Sequence, residues 1–243
     1  MEPGIYPAVT DDEKRAVYRL RYDVYVEEMG RYQSIADHKN RLLIEPEDDY
    51  SRLYMAVAND EVLGTMRLTW GGDTSFPDRQ IEQYDLAPFL KNIPKEQIVV
   101  SERFMVTKPH RGTDLLFRLF CTYMEFVNEN RIQLIFGDSE PHLLNLYQGM
   151  GFRTYTHKNV NSAQTGYLIP LLIVAEDIEY LKSVRSPLTR VLKDFGDDAR
   201  VPAEAIHILE EGSAVVSQRL SENSAYWETI RAALDPLGEG QTT

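Results

Sequence analysis

At 243 residues, 43% hydrophobic and 26% charged, the chain can bury a full core, and its length fits one domain with an appendage rather than two equal domains. A net charge of −12 argues against a nucleic-acid binder, which needs a basic face to neutralise phosphates. The single cysteine, Cys121, excludes a disulfide framework and a cysteine-rich metal site, and the longest apolar run, residues 167–175, is interrupted by Pro170 and too short to span a bilayer. With no basic and apolar leader after Met1, a soluble cytoplasmic protein with no stable membrane insertion is expected.

The elements alternate. Thr10-Asp11-Asp12-Glu13 forms a capping box, and Ala16, Val17, Leu20 and Val24 follow at helical spacing, so a first helix is expected over residues 11–29. Residues 31–49 are charged and without a sustained period, which predicts a mobile loop over a cleft with about one helical turn. Strand patterns at 53–58 and 62–70, joined by Asn59-Asp60-Glu61, predict a hairpin. A short helix is expected within 80–90 and a strand over 97–106. Leu115, Leu116, Leu119, Phe120, Tyr123, Met124 and Val127 mark one face of a helix ending near Asn130. A buried strand at 132–136, a helix at 141–148 and strands at 153–157 and 167–174 complete a mixed α/β order with helices crossing between strands of one sheet. After Ala175 the composition changes. Helical patterns near 177–183, 187–195 and 202–234 predict a C-terminal extension over 176–237, and residues 238–243 are expected to be disordered.

Residues 99–152 hold the chemistry. His110-Arg111-Gly112-Thr113-Asp114 lies between a strand and a helix, where unpaired backbone N–H groups and the helix dipole favour a phosphate. Lys91, Lys95, Arg103, Lys108, His110, Arg111 and Arg118 form a run poor in acids, read either as a basic patch or as an ordinary solvated face. The five histidines show no metal-ligand spacing and no serine sits in a nucleophile elbow, so no metal and no covalent acyl-enzyme are expected.

Residues 99–155 resemble the core of the GNAT acyltransferases, which implies a mixed, mostly antiparallel central sheet flanked by helices. In that resemblance Phe104-Met105-Val106 is similar to the strand whose backbone binds a pantetheine arm. Residues 110–116 resemble the pyrophosphate loop, with Arg111, Gly112, Thr113 and Asp114 as donor-binding positions. Leu146-Tyr147-Gln148-Gly149-Met150-Gly151-Phe152 resembles the helix end that brings a tyrosine to the thioester sulfur. Asp114 and Leu116 stand where that loop has small residues. A carboxylate and bulk there disfavour coenzyme A and suit a single phosphodiester, as in phosphopantetheine on an acidic acyl carrier protein.

The N-terminal half resembles the acyl-homoserine-lactone synthases and the related N-acyl amino acid synthases. The likeness spans about residues 5–175 and rests on Arg21-Tyr22-Asp23-Val24-Tyr25, Glu45-Pro46-Glu47-Asp48-Asp49, Gly64-Thr65-Met66-Arg67-Leu68 and Ser101-Glu102-Arg103-Phe104. The absence of the tryptophan expected near Arg31 favours the branch that acylates amino acids or amines. The family's glutamate would fall at Val100, but positions 100 and 102 share a face, so Glu102 can stand in for it.

The resemblance thus implies an N-acyltransferase. Glu102 would take the ammonium proton, or else form a salt bridge with Arg67 or Arg103. Tyr147 would protonate the leaving sulfur, or else pack the interior. The N–H groups near Met105 and Val106 would bind the carbonyl oxygen. Arg21 and Arg67 would hold an acceptor carboxylate, an internal pair with Asp48 or Asp49 being the alternative. The implied reaction is direct attack by the amine of a small molecule, such as an amino acid, on an acyl group carried by acyl carrier protein or acyl-CoA. An acetyl-CoA-dependent N-acetyltransferase and an inactive GNAT-fold module are the alternatives. The oligomeric state is open.

Overall fold

The computed structural model describes residues 2–193 apart from His157 and Ala163. The helix expected over 202–234 and the tail at 238–243 lie outside the described residues. The strands are β1 (Gly4–Pro7), β2 (Arg52–Ala58), β3 (Glu61–Trp70), β4 (Ile98–Val106), β5 (Leu134–Ser139), β6 (Arg153–Thr154), β7 (Val160–Ser162) and β8 (Gly166–Val174). The helices are α1 (Asp11–Arg21), α2 (Asp78–Gln83), α3 (Ala87–Asn92), α4 (Leu115–Glu129), α5 (Leu144–Met150) and α6 (Ile178–Ser183). One sheet runs in the order β1-β2-β3-β4-β5-β8-β6, with β7 paired to β8. Every pairing is antiparallel except β4 with β5.

Alternation along the strands sorts side chains into two layers. Met66, Leu68, Val99, Ile135, Leu171 and Ile173 pack against α4, α6 and Phe152. Val100, Leu134, Phe136, Leu172 and Val174 pack against Phe76, Tyr84, Leu86 and Phe89, while Leu53, Met55 and Val57 meet Val17 of α1. Leu119, Phe120, Tyr123, Met124 and Val127 are buried as the periodicity requires, and the capping box at Thr10 and Glu13 is present. Asn59 and Asp60, at φ 52° and 61°, make the tight turn between β2 and β3. Ile178, Leu181, Leu188 and Leu192 join the α4-side core, so the start of the C-terminal segment is part of that layer. No helix among the described residues is long and apolar enough to cross a membrane.

Several boundaries differ from the sequence reading. The first helix is α-helical only to Arg21 and continues as a π-helical segment, Tyr22–Glu28. That segment is wedged between two partners: Tyr22 and Val26 pack with Tyr32 and Leu43, and Val24 packs with Met105. The helix expected within 80–90 is two helices, because Pro88 has no N–H to donate and its ring blocks the carbonyl of Tyr84; Asp85 turns the chain at φ 48°. The strands β1 and β7 carry too few residues to show a period, and β6 stops at Thr154.

The segment 31–49 is irregular with one 3₁₀ turn, Pro46–Asp49, as expected, but it is anchored rather than free over the cleft. Tyr32, Leu42 and Leu43 are buried, Leu43 N–H donates to Tyr18 O at 3.1 Å, and Glu45, Glu47 and Asp48 point inward. Those carboxylates meet arginines from four other elements, α1, α2, β3 and β4. Arg21 donates to Asp48 at 2.6 Å. Arg67 donates to Asp48 at 3.1 Å, to Glu45 at 3.0 Å and to Glu102 at 2.9 Å. Arg103 grips Glu45 through two nitrogens, and Arg79 bridges Glu47 and Glu102.

This cluster predicts the acid response of the fold. Burial by itself raises the Glu45 and Glu102 pKa values. The neighbouring guanidiniums, Arg103 and Arg67 at Glu45 and Arg67 and Arg79 at Glu102, outweigh it, bringing Glu45 from 4.5 to about 2 and Glu102 well below the usual carboxylate range. Folded values below unfolded ones mean stability that is complete above about pH 4.5 and lost as pH falls through the folded values. The cluster's contribution is expected to hold from pH 7 to 5, and the urea midpoint then to drop steeply toward pH 2. Arg67→Ala, which removes the cation shared by three buried carboxylates, is expected to cost about 3–5 kcal/mol at pH 7. An Arg67→Ala midpoint equal to wild type would mean that the cluster does not hold the segment.

Candidate active site

The site grows out of an irregularity in β4. Thr65 pairs with Met105 and Arg67 with Glu102, so Arg103 and Phe104 together stand opposite Met66, and Arg103 takes a left-handed φ of 55°. A bulge of this kind bends and twists its strand. Accordingly β4 and β5 pair at only three positions, Ile98 with Leu134, Val99 with Ile135 and Val100 with Phe136, although β4 continues to Val106 and β5 to Ser139. Beyond Val100 the two strands form a fork with unpaired inner edges. Thr107 N–H donates to Leu63 O on the β3 side at 2.8 Å, so by alternation the N–H groups of Val106 and Phe104 point into the fork. Of the two expected carbonyl-binding positions, Val106 therefore has its N–H directed there and Met105 has its N–H on the β3 side.

The donor loop follows at the open end. A 3₁₀ turn, Lys108–His110, leads into Gly112 at φ 79°, and α4 starts after Asp114. Thr113 Oγ1 donates to His110 O at 2.7 Å and accepts from Leu115 N–H at 3.3 Å. The N–H groups of Gly112, Asp114, Leu116 and Phe117 have no acceptor among the described residues, the arrangement expected of an anion-binding helix start. Arg111 is exposed and donates to Glu28 at 2.5 and 3.0 Å. A solvated pair of this kind is worth at most about 1 kcal/mol, so exchanging Glu28 for a phosphate costs little. An open groove of about 460 Å³ lies alongside, lined by Phe117, Leu146, Gly149, Met150, Pro187 and Arg190.

The basic patch is smaller than its sequence. Arg103 is drawn inward to Glu45, beneath the rings of Tyr25 and Tyr32 at 5.4 and 5.0 Å, and Lys95 donates to the carbonyls of Gly71 and Thr74. Lys108, Arg111 and Arg118 remain exposed around the loop.

Tyr147 sits on the last turn of α5, half-buried, edge-on to Phe152 at 5.3 Å and Phe120 at 6.0 Å. Gly151 fixes that helix end. Its φ of 105° is left-handed, and a Cβ there would stand 2.1 Å from Leu181 Cδ2, so only glycine fits. Burial, with the carboxylates of Asp138 and Glu140 nearby, pushes the Tyr147 hydroxyl pKa upward, which keeps it a proton carrier at neutral pH.

Two sequence assignments are corrected by burial. Arg21 and Arg67 are fully buried and bonded to Asp48, Glu45 and Glu102, so neither reaches an acceptor; the internal pairing with Asp48 is the observed one. Glu102 does lie on the cleft-side face, but it is 4% exposed and accepts from Arg67, from Arg79 at 2.8 and 3.0 Å and from Gln80 at 2.7 Å. A carboxylate held this far below its ordinary pKa is a weak base, and its salt bridge with Arg67 is the alternative that stands. Sequence reasoning missed Asp138. It lies on β5 two residues beyond Phe136, half-buried, with Oδ2 accepting from Tyr84 at 2.5 Å and from Gln83 at 3.0 Å. The signal available was the abrupt change from Leu134-Ile135-Phe136-Gly137 to Asp138-Ser139-Glu140 at the end of a buried strand.

Comparisons with known proteins bear on the family and the fold. Residues 16–168 match the family model described as N-acyl amino acid synthase FeeM. A curated relative, L-ornithine N(alpha)-acyltransferase of Rhodobacter capsulatus, is 30% identical over 145 residues, 54% of this chain and 53% of its own, so the chain spans about half the length of that relative. Among solved structures, the CoA-dependent acyl-homoserine lactone synthase BjaI with MTA superposes with a TM-score of 0.57 at 17% identity, covering 84% of this chain and 96% of that one. FeeM, an N-acyl amino acid synthase from uncultured soil microbes, superposes at 0.54 and 14%, covering 79% and 99%. These structures share the GNAT-like fold, with its mostly antiparallel sheet flanked by helices. With well over half of its residues inside the family model, the chain belongs to the N-acyl amino acid synthase FeeM family of acyltransferases.

Proposed function

We propose that the protein transfers an acyl chain from acyl carrier protein to the amine of a small molecule such as an amino acid, by direct attack in a ternary complex. The observation that carries this reading is the β4–β5 fork, which leaves the Val106 N–H unpaired on its inner edge, with free amides at the start of α4 beyond it and the Tyr147 side chain near Asp138. A thioester lying in the fork would have its carbonyl oxygen at the Val106 N–H, its phosphate at the Gly112–Asp114 loop and its sulfur toward Tyr147. The family and the relative named for ornithine acylation support an amino acid as acceptor. Residues 5–175 form the catalytic unit in this reading, with 176–237 as an extension to it.

Carrier protein is preferred over coenzyme A for two reasons. Asp114 and Leu116 crowd and repel a pyrophosphate, while Lys108, Arg111 and Arg118 offer exposed cations to an acidic partner. Mass spectrometry of lipids from an overexpressing host is expected to show an N-acyl amino acid, and its absence would remove the reading. Purified enzyme is expected to show a higher kcat/KM with acyl carrier protein than with the matching acyl-CoA, declining with salt. Equal, salt-insensitive values would favour the acyl-CoA reading.

Tyr147→Phe is expected to lower kcat by roughly tenfold to a thousandfold with little change in the urea midpoint, since it removes one hydroxyl and keeps the ring contacts. Wild-type turnover would leave Tyr147 as a packing residue.

A further inference from the structure

Two carboxylates face each other across the fork, and they are not equivalent. Glu102 follows Val100, and Asp138 follows Phe136. Val100 and Phe136 are the last paired residues of their strands and both face α2 and α3, so alternation puts both carboxylates on that side, one step beyond the pairing. The Tyr84 hydroxyl stands between them, 2.5 Å from Asp138 Oδ2 and 3.4 Å from Glu102 Oε1. Around Glu102 every approach is filled by Arg67, Arg79 and Gln80. Asp138 keeps Oδ1 without a donor among the described residues, on a half-buried side chain at the opening.

We propose that Asp138 is the catalytic base, accepting the proton of the acceptor ammonium at Oδ1, with Tyr84 and Gln83 orienting the carboxylate and Glu102 serving as a fixed anion behind it. The inference rests on the acyl-transfer reading. One ammonium proton passes to Asp138, and the freed nitrogen lone pair forms the C–N bond at the thioester carbonyl. The C–S bond then breaks, and the second nitrogen proton reaches the departing thiolate through the Tyr147 hydroxyl. Asp138 returns its proton to water.

The electrostatics suit this task. Burial raises the Asp138 pKa from 3.8 to about 6; the Glu102 charge adds to it, while the Tyr84 hydrogen bond, Arg103 and Arg79 oppose it. The other groups facing Asp138 are Tyr25 and Tyr32 from the N-terminal segment, Tyr147 of α5 and Tyr155 after β6. All of these are phenols whose own pKa values burial raises, so they stay neutral. A carboxylate of this kind is charged at neutral pH and still holds a proton well enough to compete for one.

The test is the pH dependence of N-acyl product formation by wild type, Asp138→Asn, Tyr84→Phe and Glu102→Gln. Wild-type kcat/KM is expected to fall below about pH 6, and Asp138→Asn to lose roughly a hundredfold or more together with that acidic limb. Tyr84→Phe removes a hydrogen bond that lowers the Asp138 pKa and is expected to move the limb upward; Glu102→Gln removes an anion and is expected to move it downward while keeping it. A limb that survives in Asp138→Asn, or one that vanishes in folded Glu102→Gln alone, overturns the proposal. Carboxyl ¹³C NMR of aspartate-labelled protein provides a readout without turnover: one resonance absent from Asp138→Asn is expected to titrate near pH 6, and titration in the ordinary aspartate range overturns the assignment. Failure of wild-type enzyme to make any N-acyl product overturns the acyl-transfer reading itself, whereas product made by Asp138→Asn with wild-type rate and profile overturns only the base.

Discussion

Arg67 is the hinge of the structure. It is fully buried on β3 and donates to three carboxylates that arrive from two separate stretches of chain: Glu45 and Asp48 from the irregular segment, and Glu102 from β4. Arg21, Arg79 and Arg103 share the same carboxylates, so α1, α2, the bulge of β4 and the 45–48 turn are tied to one point. Such a cluster adds little net stability relative to apolar packing, because desolvating the charges offsets most of their attraction. Its consequence is positional. The ion pairs set where the segment 31–49 lies over the fork and which way the β4 edge faces.

The bulge and the cluster are mutually dependent. A non-glycine residue at positive φ is unfavourable, and at Arg103 it persists because the guanidinium is gripped by Glu45 and covered by Tyr25 and Tyr32. The strand twist that follows ends the β4–β5 pairing after three residues and leaves main-chain donors free in the fork. On the other side of the sheet, Phe120 stacks on Phe104 at 4.4 Å and touches Tyr147, so α4 brings the bulge and the tyrosine together.

The parts of the fold that were legible in the sequence are those set by local contacts: the capping box at Thr10, the Asn59-Asp60 turn, the apolar stripe of α4 and the glycine that ends α5. The site motifs were legible because loop, helix and tyrosine follow each other within one stretch of chain. The ion cluster was legible only as an alternative for single pairs, since its partners at positions 21, 45, 47, 48, 67, 79, 102 and 103 are brought together by the sheet, and in sequence an arginine bound to an internal carboxylate looks the same as one awaiting a substrate. The π-helical turn after Arg21 was hidden for a related reason. Its burial on two sides depends on Leu43 and Met105, which lie well beyond any local window.

That ambiguity explains why the catalytic role expected of Glu102 and the geometry part ways. A carboxylate that anchors two arginines is stabilised as an anion, and each added guanidinium makes it a weaker proton acceptor. The same anion acts in the opposite sense on a neighbour: standing across the fork from Asp138, with the Tyr84 hydroxyl between them, it raises the proton affinity of that carboxylate, whose Oδ1 has no donor among the described residues. Anchoring and proton transfer thus place opposing demands on a carboxylate, and the fork divides them between its two strands. β4 supplies the fixed charge, bonded to Arg67 and Arg79, and β5 the titrating one.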